Sequence, residues 1–415
     1  MKRKEITFID LFSGAGGLSE GFICAGYCPI AHVEMNSDAC NTLRTRACYH
    51  FLKKQGDIQK YYKYLKSEIT RDELYASVPE HVVNSVINET LSDSTMGSIY
   101  DRINKAMQAK KIDNINLIIG GPPCQAYSQV GRSRKCMDND PRNELYKLYC
   151  EVLEKYKPAM FVFENVPGLI TAGNGKYIKN ITESIRALGY GIEYRIVSAS
   201  DFGVLQRRRR IILIGWKYGS GHKYPDFIKS ENVSIINNIL SDLPKIQAGE
   251  SKDQYRDQHY SDYLKDNGIR SDQDILTWHV ARGHIDRDRE IYRLAIKAWN
   301  DNHRRIKYSD LPDDLITHKN KNGFLDRFKV VAADMHTSHT MMAHISKDGH
   351  YYIHPDLEQA RSITVREAAR IQSFPDNYFF EGSRTAAFTQ IGNAVPPLMA
   401  KGIAEAIREV LVQER

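Results

Sequence analysis

The chain has 415 residues, of which 42% are hydrophobic and 26% are charged, a composition that is ordinary for a soluble globular protein. No apolar run approaches the roughly 18 residues of a membrane span, so we expect no membrane partner, and the length exceeds the roughly 100–200 residues of one domain. The formal net charge of +7 suits a polyanionic partner but does not identify one.

Five short apolar runs predict buried strands. The first run, residues 6–12, enters a glycine-rich turn and then a helix from about Leu18. The other four runs span residues 29–33, 115–119, 159–163 and 211–214. Because helical stretches separate these runs, the pattern predicts an α/β fold with an open, mostly parallel sheet. In such folds ligands bind beyond the carboxyl ends of the strands.

Two regions depart from this alternation. Residues 59–111 are polar and indicate a helical, solvated insertion, whereas residues 217–355 are polar and aromatic and indicate a second domain. Within the second domain we predict a helix at 286–300 and a hairpin that joins 341–345 to 351–353.

The end of the chain is helical again by its pattern. Thr364 and Glu367 form a capping-box pattern before an apolar run, and a final helix is predicted from about Pro397 to Val412.

The cysteines and the N-terminus indicate a reducing compartment. All seven cysteines lie in the first 150 residues, and no pair of CxxC motifs has the spacing of a zinc site. The apolar run that follows the basic N-terminus is interrupted by Asp10, which is not typical of a signal peptide. We therefore expect a cytoplasmic protein without a bound metal.

A glycine-rich segment, Asp10 to Gly17, connects the first predicted strand to the first helix. Glycines let the backbone approach a ligand, and a helix N-terminus favours a carboxylate. Glu34 ends the next strand, where an acid can accept hydrogen bonds from ribose hydroxyls, and Asp57 is predicted to follow at the end of a third strand. Together these features suit a cofactor that contains adenosine. Each alone also fits a plain turn, a dinucleotide-binding loop or a surface carboxylate, although the glycine spacing is not GxGxxG.

Pro122, Pro123 and Cys124 directly follow a predicted strand. Two prolines stiffen the backbone, so the pattern indicates a thiol presented as a nucleophile from a rigid lip. A lone cysteine is more often an inert core residue, and only its companions change that interpretation. These companions are Glu164 and the arginine run at 207–210, which by themselves would be a helix-capping acid and a phosphate-binding stretch.

In this order, the blocks resemble the C5-cytosine-specific DNA methyltransferase family of the bacterial restriction-modification type. The resemblance covers both ends of the chain. Besides the blocks above, it rests on Asn165-Val166, the Gln206-x-Arg208-x-Arg210 pattern, Arg366-Glu367 and the segment from Gly392 to Val395.

The resemblance implies the sheet of S-adenosylmethionine-dependent methyltransferases with a smaller target-recognition domain inserted into it. The catalytic domain would span 1–216, with the insertion 59–111, and would return at 356–415. The target-recognition domain would span 217–355.

The resemblance also implies the reaction. A thiolate at Cys124 would attack C6 of a cytosine flipped out of duplex DNA, and C5 would then receive the methyl group. Glu164, protonated or sharing a proton, would bind N3 and the exocyclic amine of the base, and Arg208 would bind its carbonyl oxygen. The catalytic residues implied in this way are Cys124, Glu164, Arg208, Arg210 and Asn165.

The same resemblance assigns the ligand contacts. S-adenosylmethionine, which leaves as S-adenosylhomocysteine, would contact Asp10, Phe12, Gly14, Gly16, Gly17, Glu34, Met35, Asp57, Ile58, Pro123, Leu145, Asn393 and Val395. Double-stranded DNA would contact a loop that contains Gln125, Ser128, Gly131 and Arg132. We expect a monomer, and the family's common role allows a cognate restriction endonuclease that acts separately.

Three alternatives are weaker. RNA-directed relatives would use the same chemistry but carry a Cys-Phe-Thr motif, and no cysteine follows Cys150 here. A DNA-binding module without activity would not need Cys124, Glu164 and Arg208 together. Amino-directed methyltransferases typically have an aromatic residue in the position of Cys124.

Overall fold

The computed structural model describes residues 5–122, 144–317 and 325–412. The chain divides into two compact units. The first unit contains Met1–Gly203, Arg208–Ser230 and Ala394–Arg415, and the second contains Val204–Arg207 and Glu231–Asn393. Residues 356–393 therefore cluster with the second unit. The assignment of 217–355 as the target-recognition domain remains a prediction.

A seven-stranded sheet forms the centre of the first unit within the described residues. Its strands are β1 (Thr7–Leu11), β2 (Cys28–Glu34), β3 (Val86–Asn88), β4 (Leu117–Gly120), β5 (Met160–Asn165), β6 (Tyr190–Ser198) and β7 (Arg209–Lys217). They lie in the order β3-β2-β1-β4-β5-β7-β6. The pairs among β1 to β5 are parallel, and β7 runs antiparallel to β5 and β6. The predicted open, mostly parallel sheet is confirmed.

Helices separate these strands and build the second unit. In chain order they are α1 (Gly17–Cys24), α2 (Ser37–Gln55), α3 (Gln59–Leu65), α4 (Arg71–Ala76), α5 (Glu80–Asn84), α6 (Met96–Ala109), α7 (Leu145–Tyr156), α8 (Lys176–Ala187), α9 (Asn237–Leu240), α10 (Asp262–Asp266), α11 (Asp286–Asn302), α12 (Val365–Ile371), α13 (Arg384–Asn393) and α14 (Pro397–Val412). The predicted helices at 286–300 and 397–412 are confirmed as α11 and α14. None of the described helices is both long and apolar enough to cross a bilayer.

The final helix, α14, returns to the first unit and packs on α1. The Tyr27 hydroxyl, just after α1, donates a hydrogen bond of 2.9 Å to the carbonyl oxygen of Ala404. A side chain at Gly21 would collide with Ala400, so the two helices approach closely. The helices α1 and α14 are thus packed tightly against each other in the first unit.

Residues 59–111 do not form the solvated insertion that we predicted. β3 extends the sheet beside β2, with Glu34 opposite Asn88. Ile99 and Ile103 on α6 are fully buried in the main apolar core. The prediction was wrong because the polar residues of α6 lie on its outward face, and their abundance concealed an apolar stripe with helical spacing.

Buried ion pairs organise the second unit. Arg370 on α12 is fully buried and binds the carboxylates of Asp242 and Asp376 through hydrogen bonds of 2.6 to 2.9 Å. Both acids are themselves buried. Such a charge network is stable only because each charged group has its partners in place.

The predicted capping box at the start of α12 is confirmed. The Thr364 hydroxyl accepts a hydrogen bond from the backbone N–H of Glu367, and the Glu367 carboxylate accepts one from the backbone N–H of Thr364. The same carboxylate pairs with Arg361 at 2.7 and 2.8 Å. Arg366 donates to the carbonyl oxygens of neighbouring loops, so the Arg366-Glu367 block stabilises the second unit.

The predicted hairpin between 341–345 and 351–353 is wrong. Ala343–Ser346 form a turn of 3-10 helix instead. The Tyr352 hydroxyl lies between the two segments, where it donates to the carbonyl oxygen of Thr340 at 2.9 Å and accepts from the N–H of Met342 at 3.0 Å. An aromatic side chain therefore makes the connection that a backbone ladder would have made.

Candidate active site

The loop after β1 has the backbone geometry of a close ligand approach. Phe12, Gly14 and Gly16 all have left-handed backbone angles, with φ of 56°, 53° and 80°. Among the described residues, no atom lies within 4 Å of the position that a Cβ would take at Gly14. Gly16 is the N-cap of α1 and has no side chain with which to cap that helix. The first N–H groups of α1 therefore suit an anionic group such as a carboxylate.

Glu34 at the end of β2 joins this loop to the next strand. One carboxylate oxygen accepts the N–H of Gly14 at 2.9 Å, and the other accepts the N–H of Asn36 at 2.8 Å. The following side chain, Met35, is 63% exposed. The glycine loop, an acid and an exposed thioether thus meet at the carboxyl edge of β1 and β2.

Asp10 is the buried acid of this edge. Its side chain is 1% exposed, and burial raises its pKa well above the ordinary value, with a smaller contribution from the charge of Glu34. One of its carboxylate oxygens has no hydrogen-bond partner within the described residues. A buried, unpaired acceptor suits a ligand that carries hydroxyl or positively charged groups. S-adenosylmethionine has both, so the residues present fit this cofactor.

A second cluster lies at the ends of β4 and β5. Arg210 on β7 binds the Glu164 carboxylate, with 2.6 Å between Nε and Oε1, and each side chain is only 13% exposed. A Cβ at Gly121 would lie 2.7 Å from the other Glu164 oxygen. The glycine therefore leaves space for the carboxylate beside the segment that leads to Cys124.

Asn165 fixes the backbone of that segment. Its amide nitrogen donates to the carbonyl oxygen of Pro122 at 3.0 Å, and its amide oxygen accepts the N–H of Val166 at 2.8 Å. Asn165 itself is buried. The last described residue before Cys124 is thus anchored to the strand that carries Glu164.

Several predicted residues lie outside the described residues. These are the nucleophile, its neighbouring proline and the predicted DNA contacts, namely Cys124, Pro123, Gln125, Ser128, Gly131 and Arg132.

The other predicted residues are distributed as follows. Gly17 begins α1, and Leu145 begins α7 and packs partly against the main core. Arg208 is buried, and its carbonyl oxygen accepts the N–H of Ala199 at 2.7 Å. Val395 belongs to the first unit, whereas Asn393, the last residue of α13, belongs to the second.

The structure does not bring Asp57 and Ile58 to Glu34. They follow α2, which begins at the carboxyl end of β2 and rises about 28 Å over its 19 residues. Near the end of α2, Lys54 pairs with Glu5, which precedes β1, so this end of the helix lies at the opposite edge of the sheet. Asp57 itself pairs with Lys60 at 2.7 Å and is about half exposed.

The residue that ends the third strand is Asn88, which the sequence analysis missed. It lies opposite Glu34 in the parallel ladder. The signal was a short apolar pair, Val86-Ile87, followed by polar residues, inside a segment that we had interpreted as an insertion.

Comparisons with known proteins agree with this geometry. The profile of the C-5 cytosine-specific DNA methylase family matches residues 6–79 and 89–409. The match includes most of 59–111, so most of this segment has a counterpart in the family.

Individual relatives extend over nearly the whole chain. The type II methyltransferase M.Bpa9945I of Bacillus paralicheniformis is 43% identical, over 97% of this chain and 98% of its own. The type II methyltransferase M1.HphI of Haemophilus parahaemolyticus is 31% identical, over 99% of this chain and 88% of its own. A candidate DNA modification methyltransferase encoded within an E. coli prophage has a similar solved fold, with a TM-score of 0.66 at 22% identity over 98% and 99% of the two chains.

Proposed function

The chain belongs to the C-5 cytosine-specific DNA methylase family and is a DNA (cytosine-5-)-methyltransferase, and we propose that Cys124, Glu164, Asn165, Arg208 and Arg210 carry its chemistry. The observation that supports this proposal best is the cluster at β4 and β5. There, Glu164 lies against Gly121 while Asn165 holds Pro122, two residues before the thiol. A nucleophile and an acid are thus connected through one short, anchored segment.

The cofactor of this proposal is S-adenosylmethionine, which supplies the methyl group. Glu34 accepts hydrogen bonds from ribose hydroxyls, Asp10 offers its unpaired oxygen to a polar group, and the first N–H groups of α1 bind the carboxylate. The remaining proposed contacts are Phe12, Gly14, Gly16, Gly17, Met35, Pro123, Leu145, Asn393 and Val395.

The chemistry begins with the flipped cytosine. The Cys124 thiolate forms a bond to C6, the electron pair of the C5–C6 double bond becomes a C4–C5 double bond, and the electron pair of the C4–N3 double bond moves onto N3. Glu164 delivers a proton to N3, and Arg208 holds the carbonyl oxygen, so the developing negative charge is neutralised. Arg210 orients the Glu164 carboxyl. C5 is now a nucleophile, and it would accept the methyl group as the bond from that group to the cofactor sulfur breaks and S-adenosylhomocysteine leaves.

Release reverses the addition. A base removes the proton from C5, the electron pair restores the C5–C6 double bond, Cys124 leaves as a thiolate, and Glu164 takes back the proton from N3. None of these atoms can be reached in a stacked duplex, so the base must be flipped into the site. We assign closure over the DNA to the loop that contains Gln125, Ser128, Gly131 and Arg132.

The type II relatives support a proposal about the protein's wider role. We propose that the protein acts as a monomer on double-stranded DNA in the cytoplasm, protects it in a restriction-modification system with a separate endonuclease, and reads its sequence with residues 217–355. Bisulfite sequencing of DNA treated with the pure protein would identify the methylated sequence.

The decisive experiment traps the covalent bond. Duplex DNA with fluorine at C5 of the target cytosine cannot lose a C5 proton, so the enzyme should remain attached after methyl transfer. We expect a denaturation-resistant adduct that requires S-adenosylmethionine and maps to Cys124. Cys124→Ser should abolish the adduct but keep DNA binding, and Glu164→Gln should slow its formation by about 100-fold. An adduct at another cysteine would contradict the assignment.

A further inference from the structure

The end of β3 lies outside the residues that the family profile matches. The matched residues stop at 79 and resume at 89, so β3 and its last residue, Asn88, fall in the gap. Yet β3 is an integral strand of the sheet, parallel to β2, with Val33 opposite Ile87 and Glu34 opposite Asn88. The residue beside the acid at the carboxyl edge is therefore set by the register of this strand.

Both the nitrogen and the oxygen of the Asn88 side-chain amide form hydrogen bonds with the turn that follows β2. Its nitrogen donates to the carbonyl oxygen of Met35 at 3.0 Å and to that of Glu34 at 3.3 Å. Its oxygen accepts the hydroxyl of Ser37 at 3.3 Å. The backbone adds one more bond, from the N–H of Glu89 to the carbonyl oxygen of Glu34 at 3.1 Å. The turn from β2 to α2 is thus held from the side by β3.

This turn carries two of the side chains that we assign to the cofactor. The Glu34 carboxylate is committed to the N–H groups of Gly14 and Asn36, and Met35 extends outward, 63% exposed. A shift of the Glu34 and Met35 backbone would move both side chains and loosen the glycine loop together. Asn88 fixes that backbone by hydrogen bonds that only a donor at this position can make.

We propose that Asn88 is a positioning residue for S-adenosylmethionine, which it serves by clamping the carbonyl oxygens of Glu34 and Met35. The proposal rests on the proposed cofactor site. In this role Asn88 acts through the backbone of Glu34 and Met35, and the donor N–H of its amide is the essential feature.

The test exchanges the amide for a carboxylate of nearly the same shape. Asn88→Asp removes the donor and directs an oxygen at two carbonyl oxygens, so we expect the Kd for S-adenosylmethionine, measured by calorimetry, to rise about ten-fold or more. Asn88→Ala removes the donor without adding charge and should raise the Kd by about three- to ten-fold. Asn84→Asp is the matched control, because it makes the same exchange at an exposed site on α5, where the Kd should stay within about two-fold.

A kinetic readout separates positioning from general loss of structure. In Asn88→Ala the KM for S-adenosylmethionine should rise, while kcat at saturating cofactor and the KM for DNA should stay within about two-fold of wild type. Wild-type affinity in both Asn88 variants would overturn the role of Asn88 and leave the proposed function intact. A matching loss of kcat and of DNA affinity would also overturn it, because Asn88 would then support the fold. A wild-type protein that binds no S-adenosylmethionine would instead overturn the proposed function.

Discussion

In the first unit, buried backbone groups pair with one another along strands, whereas in the second unit many of them pair with arginine side chains. β4 and the first four residues of β5 (160–163) are apolar and buried, and their N–H and carbonyl groups meet in a parallel ladder. The described part of the second unit has isolated bridges but no strand. There, Arg366 donates to the carbonyl oxygens of Thr277, Pro375 and Tyr378, and Arg370 donates to that of Ile239.

The difference concerns which substitutions each unit tolerates. A ladder depends on the backbone, so a strand survives many exchanges of apolar side chains at modest cost. A charge network depends on particular side chains, because removal of one partner leaves the others buried and unpaired. The second unit should therefore be fragile at its buried arginines and tolerant on its surface.

The largest expected effect is at the centre of the network. Arg370→Met leaves Asp242 and Asp376 without their shared cation, so we expect a loss of about 3–5 kcal/mol in the free energy of unfolding. Urea unfolding followed by fluorescence would measure it. The control is Arg304→Met, which breaks the more exposed pair with Asp310 and should cost less than about 1 kcal/mol. Equal losses in the two variants would remove the contrast between the units.

A cavity in the core of the first unit should lower the free energy of unfolding somewhat less than the loss of Arg370 does. Ile99→Ala on α6 removes a fully buried side chain, and we expect a loss of about 2–4 kcal/mol. Lys105→Ala on the exposed face of the same helix should change stability by less than about 0.5 kcal/mol. The same unfolding experiment applies. If Ile99→Ala lowered the free energy of unfolding no more than Lys105→Ala does, α6 would not be an essential part of the core of the first unit.

The smallest expected effect concerns a feature that both units share, a buried aspartate. The first unit has Asp10, and the second has Asp376. Burial disfavours the charge of both Asp10 and Asp376. For Asp376, the charges of Arg370 and Arg366 and the hydrogen bonds from Arg370 and Tyr255 together outweigh burial and lower the pKa, whereas the pKa of Asp10 is raised. Asp10 therefore stabilises the fold most when it is protonated, and that stability is lost as the pH rises through its folded pKa.

Asp10→Asn should remove this loss while it weakens cofactor binding. We expect the melting temperature of the variant to exceed that of wild type by a margin that grows from pH 4 toward pH 8, and its affinity for S-adenosylmethionine to fall. Calorimetric scans across this range would measure both. Asp101→Asn, an exposed exchange on α6, serves as the control. Parallel stability curves for Asp10→Asn and wild type would contradict the expectation.

The same contrast explains what could be predicted from the sequence. β4 is a continuous apolar run and β1 is largely apolar, because both faces of the sheet are covered, and the sequence shows these strands directly. The network of Arg361, Arg366 and Arg370 was not predicted, because an arginine that is buried by its partners looks the same in a sequence as one on the surface.

The candidate site divides in the same way. Asp10, Glu34 and Glu164 end apolar strands, so their position at one edge followed from the pattern. Asp57 was misplaced because the pattern gave it a strand end, whereas the helix before it carries it to the other edge. Asn88 was missed because a strand of three residues is too short to show alternation.

The contact between α1 and α14 has a consequence for synthesis on the ribosome. Tyr27 and Ala404 are 377 residues apart, and at about 5–20 residues per second the second is made on the order of 20–75 s after the first. During that interval the nascent chain exposes the face of α1 around Gly21 that α14 later covers. Such long-range closure slows folding and leaves an apolar surface for chaperones to shield. It also delays completion of the enzyme until its last helix has left the exit tunnel.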